Sequence, residues 1–378
     1  MCRFRRNQGG ITVKITFFIG GLSGGGAERV VSNLSNYLTG KGHRADILTM
    51  TQGPESYHIS NAVRRIPLIK TSEKRGRLRD MRLRLKRLRK YMKTSDTDVY
   101  IVMLPITIIL LLAFSRYTGR PIIVSERADP ASLAGWKKTL IKRLISRATG
   151  CVFQTEGARE WYRPYFNGKS VIIPNAVSEE FLSECETHAI PGSEKIIAGA
   201  GRLTGQKNFR LLIEAFADVR KMHPGCRLVI YGEGPQRNEL EKLCSDLDIS
   251  GSVSMPGYVT NIGEKLPEAS IFVLSSDYEG MPNSLIEAMA LGLPCIAADC
   301  PPGGPKALIK NGENGILVPP GNREALASAM EALICDPPRA AKLGENAKKI
   351  RETLAPEKIY KEWEDFISEI AAEHSHRD

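Results

Sequence analysis

Three short segments of this 378-residue chain carry side chains whose types and spacing could do chemistry. In Gly201-Arg202-Leu203-Thr204-Gly205-Gln206-Lys207-Asn208 two cations share one loop, which Asn208 can close as a helix cap. Both can point at one diphosphate, or both can be solvated loop charges. In Tyr278-Glu279-Gly280-Met281-Pro282-Asn283-Ser284-Leu285-Ile286-Glu287 two carboxylates bracket a helix start at Pro282 and Asn283. The free N–H groups of such a start favour anions. A carboxylate beside a bound phosphate would repel it, so Glu279 and Glu287 suit sugar and ribose hydroxyls. The plainer alternative makes Glu287 a first-turn acid favoured by the helix dipole. The third segment, Gly20-Gly21-Leu22-Ser23-Gly24-Gly25-Gly26-Ala27-Glu28, opens a helix with glycines that admit a phosphate or sugar to the backbone, or that only make a tight turn. Its spacing is not Gly-x-Gly-x-x-Gly, and no acid closes the next strand at Leu48-Thr49-Met50-Thr51, so a dinucleotide site is not expected.

Short β-branched runs alternate with helical patterns in two series, which predicts an α/β protein of two doubly wound parallel sheets. The first series has strands near 13–19, 45–49, 99–103, 121–125, 151–154 and 171–173, the second near 195–200, 227–231, 252–255, 271–274, 294–297 and 315–318. All three segments directly follow strands, where doubly wound sheets bind ligands; two such domains facing each other would make a cleft. The expected plan is a disordered basic amino terminus over 1–11, an N-terminal domain over 12–174, a linker over 175–194, a C-terminal domain over 195–354, and a closing helix and tail over 355–378. In that helix Ile359, Trp363, Phe366, Ile367 and Ile370 share one face, so it must dock on something.

Four motifs carry a resemblance. The pair Glu279-x7-Glu287, the segment Gly201-Arg202-Leu203…Gln206-Lys207-Asn208, the turn Ile173-Pro174-Asn175 and the run Tyr231-Gly232-Glu233-Gly234-Pro235 are similar, in order and spacing and over nearly the whole chain, to those of the retaining GT-B glycosyltransferases of glycosyltransferase family four. The nearest likeness is to bacterial transferases that extend polyprenyl-diphosphate-linked glycans. The resemblance implies two Rossmann-like domains, with the C-terminal helix packing back on the first. It implies that Arg202 and Lys207 hold the donor diphosphate, that Glu287 binds the ribose and that Glu279 holds the transferred sugar. The backbone through Gly280, Met281, Pro282, Asn283 and Ser284 would line diphosphate and sugar. The loop at Tyr258, with Gly232 nearby, would meet the base, and Gly25 and Gly26 would approach the diphosphate. The expected substrate is a nucleotide sugar, UDP-linked, with no cofactor and no metal, because cations and a helix end neutralise the leaving group instead. Many relatives place a histidine where this chain reads Ser125-Glu126-Arg127-Ala128-Asp129. Glu126 or Arg127 could take the contact with donor sugar or acceptor; Glu126 is the preferred candidate, against a purely structural role.

The charge balance points to the acceptor. Lys+Arg 53 against Asp+Glu 42 gives +11, and residues 74–93 alone hold eleven basic side chains against Asp80. Leu78, Met81, Leu85, Leu88 and Met92 repeat at helical spacing beside a cationic stripe. Arg75, Arg79, Arg82, Lys86, Arg89 and Lys93 are expected to meet anionic head groups and a polyprenyl diphosphate, at about 1 kcal/mol for each residue near the membrane. A solvated face is the alternative; nucleic acid is not expected, since Tyr91 is the block's one aromatic. The enzyme is thus expected to be cytoplasmic and peripheral on the inner membrane. Hydrophobic content of 42% and charged content of 25% exclude wholesale disorder and a multi-span membrane protein. The apolar run 99–115 carries Pro105 and reads as a buried strand, turn and helix; the run 11–19 is broken by Lys14 and is not read as a signal peptide. Eight cysteines without Cys-x-x-Cys predict reduced, mostly buried thiols and no zinc site. The six histidines read as surface or packing residues. Rival readings are a GT-B nucleotide-sugar epimerase, a soluble-acceptor transferase, and a non-catalytic polyanion- or membrane-binding protein on a transferase scaffold.

Overall fold

The strand Lys14–Ile19, sequence KITFFI, is buried along its length, as a strand covered on both faces must be. Its one charged side chain is Lys14, whose ammonium is paired with Asp96 and lies 3.6 Å from the buried Asp46. It lies within a parallel seven-stranded sheet ordered Arg64–Pro67, Arg44–Thr49, Lys14–Ile19, Val99–Met103, Ile122–Ser125, Gly150–Phe153 and Lys169–Ile172. A second, six-stranded parallel sheet is ordered Val253–Gly257, Cys226–Tyr231, Lys195–Ala200, Ile271–Leu274, Cys295–Ala298 and Ile316–Val318. In each sheet the chain runs outward from its first strand, returns, and continues past the other side. The strand order therefore reverses beside Lys14–Ile19 and beside Lys195–Ala200, and such switch points are where doubly wound sheets take ligands.

This computed structural model describes residues 6–7, 10–127, 129–182 and 195–375. The expected disorder over 1–11 falls largely outside these residues, although Arg6–Asn7 pairs antiparallel with Gly10–Ile11; the latter part of the expected linker, 183–194, also lies outside them. The chain divides into two compact units, residues 1–174 with 357–378, and residues 175–356. Arg64–Pro67 is an added edge strand that the sequence does not announce, being two arginines, an isoleucine and a proline. The run 99–115 forms strand Val99–Met103 and helix Pro105–Ala113, and no helix among the described residues is long and apolar enough to cross a membrane.

The closing helix, Pro356–Ser375, buries Ile359, Trp363, Phe366, Ile367 and Ile370, about 1.5–3 kcal/mol per side chain. It docks on the first unit. A side chain at Gly150 would meet the Phe366 ring at 3.0 Å. His43 Nδ1 accepts the Val13 N–H at 3.2 Å, so its Nε2 donates to Glu364 at 3.2 Å.

Candidate functional site

The loops 201–208 after Lys195–Ala200 and 275–282 after Ile271–Leu274 meet at the switch point of the second sheet. Asn208 adopts the left-handed conformation, φ 46°, and its side chain accepts from Leu211 N–H, capping helix Phe209–Met222. That turn holds Lys207 half-buried, and its Nζ lies 2.5 Å from Oε1 of Glu279. Glu279, only 6% exposed, also accepts from Ser276 Oγ at 2.8 Å. Gln206 Nε2 donates to the Tyr278 carbonyl at 3.0 Å and reaches Glu279 Oε2 at 3.5 Å. Arg202, on the same loop, is exposed. Nearby Cys300 is buried and its thiol is pushed up to about 12 by that burial, with the Glu279 carboxylate adding, so it is no nucleophile at neutral pH.

The helix expected at Pro282 runs Asn283–Ala290 with Pro282 as its cap. Its first N–H groups have no intrahelical acceptor, and the buried Ser284 Oγ beside them has no hydrogen-bond partner among the described residues. Glu287 is the fifth residue of this helix and 8% exposed, which overturns the first-turn reading of it. Asn175 reads from sequence as part of a linker turn. Its Nδ2 donates to the Met281 carbonyl at 3.2 Å and to Asn283 Oδ1 at 2.7 Å, fixing the helix entry. Only its place after a strand, in Ile-Pro-Asn, hints at this.

Backbone packing sets the site's floor. A Cβ at Gly232, φ 143°, would lie 1.9 Å from the Gly201 carbonyl oxygen, and one at Gly304 would lie 1.9 Å from that of Gly280. Gly232 is thus required by packing under the Arg202 loop. Its N–H donates to the Gly257 carbonyl at 2.8 Å, which brings the two expected base-contacting loops together, with Tyr258 78% exposed beside them.

In the first unit, Gly25 caps helix Gly26–Gly40 directly after Lys14–Ile19 and Gly24 takes φ 107°. Glu126 follows Ile122–Ser125 on the same sheet edge. Its carboxylate is 3% exposed and accepts from Tyr162 Oη at 2.5 Å and from the Arg127 N–H at 3.0 Å. The Arg127 guanidinium stacks 5.4 Å from the Trp363 ring of the closing helix. Burial pushes it down to about 10, against the opposing pull of Glu126. Sequence reasoning missed Tyr162, which lies 36 positions from Glu126.

The basic block forms helix Arg77–Thr94. Leu88 and Met92 of its apolar stripe are buried in the core and Met81 packs partly buried against it, while Leu78 is 81% exposed. Anions are not the sole relief of its charge. Arg84 donates to the Met50 carbonyl and Thr51, Arg87 forms two 2.7 Å bonds to Glu73, and Arg89 and Lys93 lie over the rings of Phe114 and Tyr117. Arg75, Arg79, Arg82 and Lys86 stand exposed.

Two doubly wound parallel domains, with cations, carboxylates and a helix amino end at the second switch point, define the GT-B class of α/β protein. The chain belongs to the GT-B glycosyltransferases of family 4: residues 24–181 match the model "Glycosyltransferase Family 4" and residues 183–350 the model "Glycosyl transferases group 1". It is 28% identical over 95% of its length, and 99% of the other's, to a Campylobacter jejuni N-acetyl-D-galactosaminyltransferase named for a diNAcBac-PP-undecaprenol-linked acceptor. It is 31% identical over 75% of its length to an exopolysaccharide phosphotransferase of Streptomyces coelicolor, of which it spans 30%. In fold it is similar to Anabaena HepE, solved in complex with UDP-glucose, with TM-score 0.77 and 18% identity over 94% of this chain and 99% of that one.

Proposed function

We propose that this glycosyltransferase moves a hexose or N-acetylhexosamine from a UDP-sugar, with retention and without a metal, to a lipid-linked oligosaccharide in bacterial surface-polysaccharide or glycan assembly. The observation that carries the reading is the meeting of Lys207 with Glu279 at the switch point, beside the amino end of Asn283–Ala290. Lys207 and Arg202 take the diphosphate, helped by the first amides of that helix and by Ser284. Fixed donors aimed at the charge that grows on the leaving group lower the barrier, because they need no reorganisation during the reaction. Glu279 accepts from hydroxyls of the transferred sugar, and its bonds to Lys207 and Ser276 suit it to that task better than to nucleophilic attack. Front-face attack by the acceptor then retains the anomeric configuration.

Glu287 takes the ribose and Tyr258 the base. Glu126 serves by holding Tyr162 and the Arg127 amide. Arg75, Arg79, Arg82, Lys86, Arg89 and Lys93 hold an anionic membrane face and the acceptor's diphosphate, placing the enzyme peripherally on the cytoplasmic side of the inner membrane. The Campylobacter relative's undecaprenol-linked acceptor and the UDP-glucose complex of the structural neighbour support acceptor and donor class.

A panel of UDP- and GDP-sugars screened by thermal shift identifies the donor, and that donor is then incubated, with and without EDTA, with polyprenyl-diphosphate-linked oligosaccharide. The expected result is EDTA-resistant transfer into the lipid fraction with the anomeric configuration of the donor. Donor stabilisation without transfer to any lipid-linked glycan, or conversion of the donor to its epimer, would overturn the reading.

A further inference from the structure

We propose that His223, Glu331 and Cys335 form a binding site for a divalent transition-metal cation, zinc by preference, which clips two helices of the second unit together away from the Lys207–Glu279 cluster. His223 caps the carboxyl end of helix Phe209–Met222. Glu331 and Cys335 lie four apart on helix Arg323–Cys335, hence on one face of it. One ligand atom from each of the three lies within 4.8 Å of the others, and Cys335 Sγ is 3.8 Å from His223 Nε2. In a tetrahedral site with Zn–S of about 2.3 Å and Zn–N of about 2.0 Å, sulfur and nitrogen stand roughly 3.6 Å apart. The sulfur–nitrogen pair at 3.8 Å therefore needs a shift of only a few tenths of an ångström, while the Glu331 carboxylate, within 4.8 Å of both, closes on the ion by a side-chain movement of about 1 Å.

The helices that carry the ligands are already fastened to each other. Arg323 makes two 2.7 Å bonds to Asp218, so the ligand positions are set by packed elements and not by a loop. A thiolate, a carboxylate and a neutral imidazole bring two negative charges to a dication, and this mixed sulfur, nitrogen and oxygen set favours zinc over magnesium or calcium, which prefer oxygen alone. Three protein ligands leave the fourth position to water, consistent with an exposed Cys335 and half-buried His223 and Glu331. The ion takes no part in transfer. The 14-residue helix that begins after Asn208 ends at the His223 cap, and at 1.5 Å rise per residue it separates the two by roughly 20 Å. The proposal is independent of the functional reading above.

The test uses the tag-free full chain in a non-thiol reductant, titrated with zinc and with cobalt(II) and compared with C335S, H223Q and E331Q. The wild type is expected to bind one equivalent, to melt higher with zinc, and to show a thiolate-to-cobalt charge-transfer band. C335S should lose the band and the zinc-dependent melting shift, and H223Q and E331Q should bind at least tenfold more weakly. Because Cys335 is exposed, the metal-free variant should melt like the metal-free wild type, so lost binding is separable from misfolding. Absence of a bound equivalent in the wild type, or binding by C335S or H223Q as tight as that of the wild type, would overturn the site.

Discussion

The ammonium of Lys207 lies 2.5 Å from the carboxylate of Glu279, from which it is separated by 72 positions of sequence. Side-chain exposures of 16% and 8% place the pair mostly out of water, where losing one partner strands the other's charge. Glu279→Gln keeps the amide within reach of Ser276 and Gln206, so the fold should survive. Transfer should fall by about 100-fold or more, the scale of losing one oriented electrostatic contact, while UDP affinity changes little. Steady-state transfer rates and UDP calorimetry on the same preparation check this; equal losses in both would remove Glu279 from the sugar contact.

Glu287→Ala removes a buried carboxylate that is not paid for by the helix dipole, since it lies in the second turn. Nucleotide binding should weaken by about 1.5–3 kcal/mol for one charged hydrogen bond, with the melting cooperativity kept. Uridine and UDP should lose affinity alike, because the lost contact is to the ribose.

Gly232→Ala and Gly304→Ala drive a methyl into the Gly201 and Gly280 carbonyls, each at 1.9 Å. A destabilisation of about 3 kcal/mol or more is expected for Gly232→Ala, where overpacking combines with a left-handed backbone. Denaturant midpoints measure it, and donor binding should vanish in parallel because the moved backbone carries the site.

Charge reversal should divide the basic helix into two groups. Glutamates at the exposed Arg75, Arg79, Arg82 and Lys86 should release the protein from vesicles containing anionic lipid and leave its melting temperature near that of the wild type. Glutamates at Arg84 and Arg87 should instead destabilise it, since these side chains bond the Met50 and Leu68 carbonyls and Glu73. Vesicle cosedimentation at two salt concentrations and thermal melts separate the outcomes; undiminished cosedimentation of the first variant would remove the membrane role.

The Arg87 guanidinium holds the Glu73 carboxyl down to about 2 from its ordinary 4.5, with the Lys70 amide adding. A depressed folded-state value means that the pair's contribution is present above about 4.5 and is lost as pH falls through about 2. Glu73→Gln should therefore be less acid-sensitive than the wild type across that window and less stable above it. Denaturant titrations at pH steps from neutral to 2 test the sign.

The sequence by itself determined what depends on local period and on short motifs. Alternation of β-branched runs with helical patterns sets the two parallel sheets, and the single apolar face of Ile359 to Ile370 sets the docked closing helix. Motif order likewise puts Lys207, Glu279 and Glu287 after strands. Only the tertiary structure decided which distant groups touch. It brought Asn175 to Met281 and Asn283 across more than a hundred positions, Tyr162 to Glu126, and His223 to Cys335, a meeting across 112 positions that cysteine spacing does not show. It also split the basic helix into exposed and anchored arginines, and it added the edge strand Arg64–Pro67, whose pairing on one side needs no apolar alternation. The physical reason is common to all of these. Periodicity records which face of an element is buried, whereas a hydrogen bond between residues far apart in the chain exists only once the sheets have fixed where their loops end.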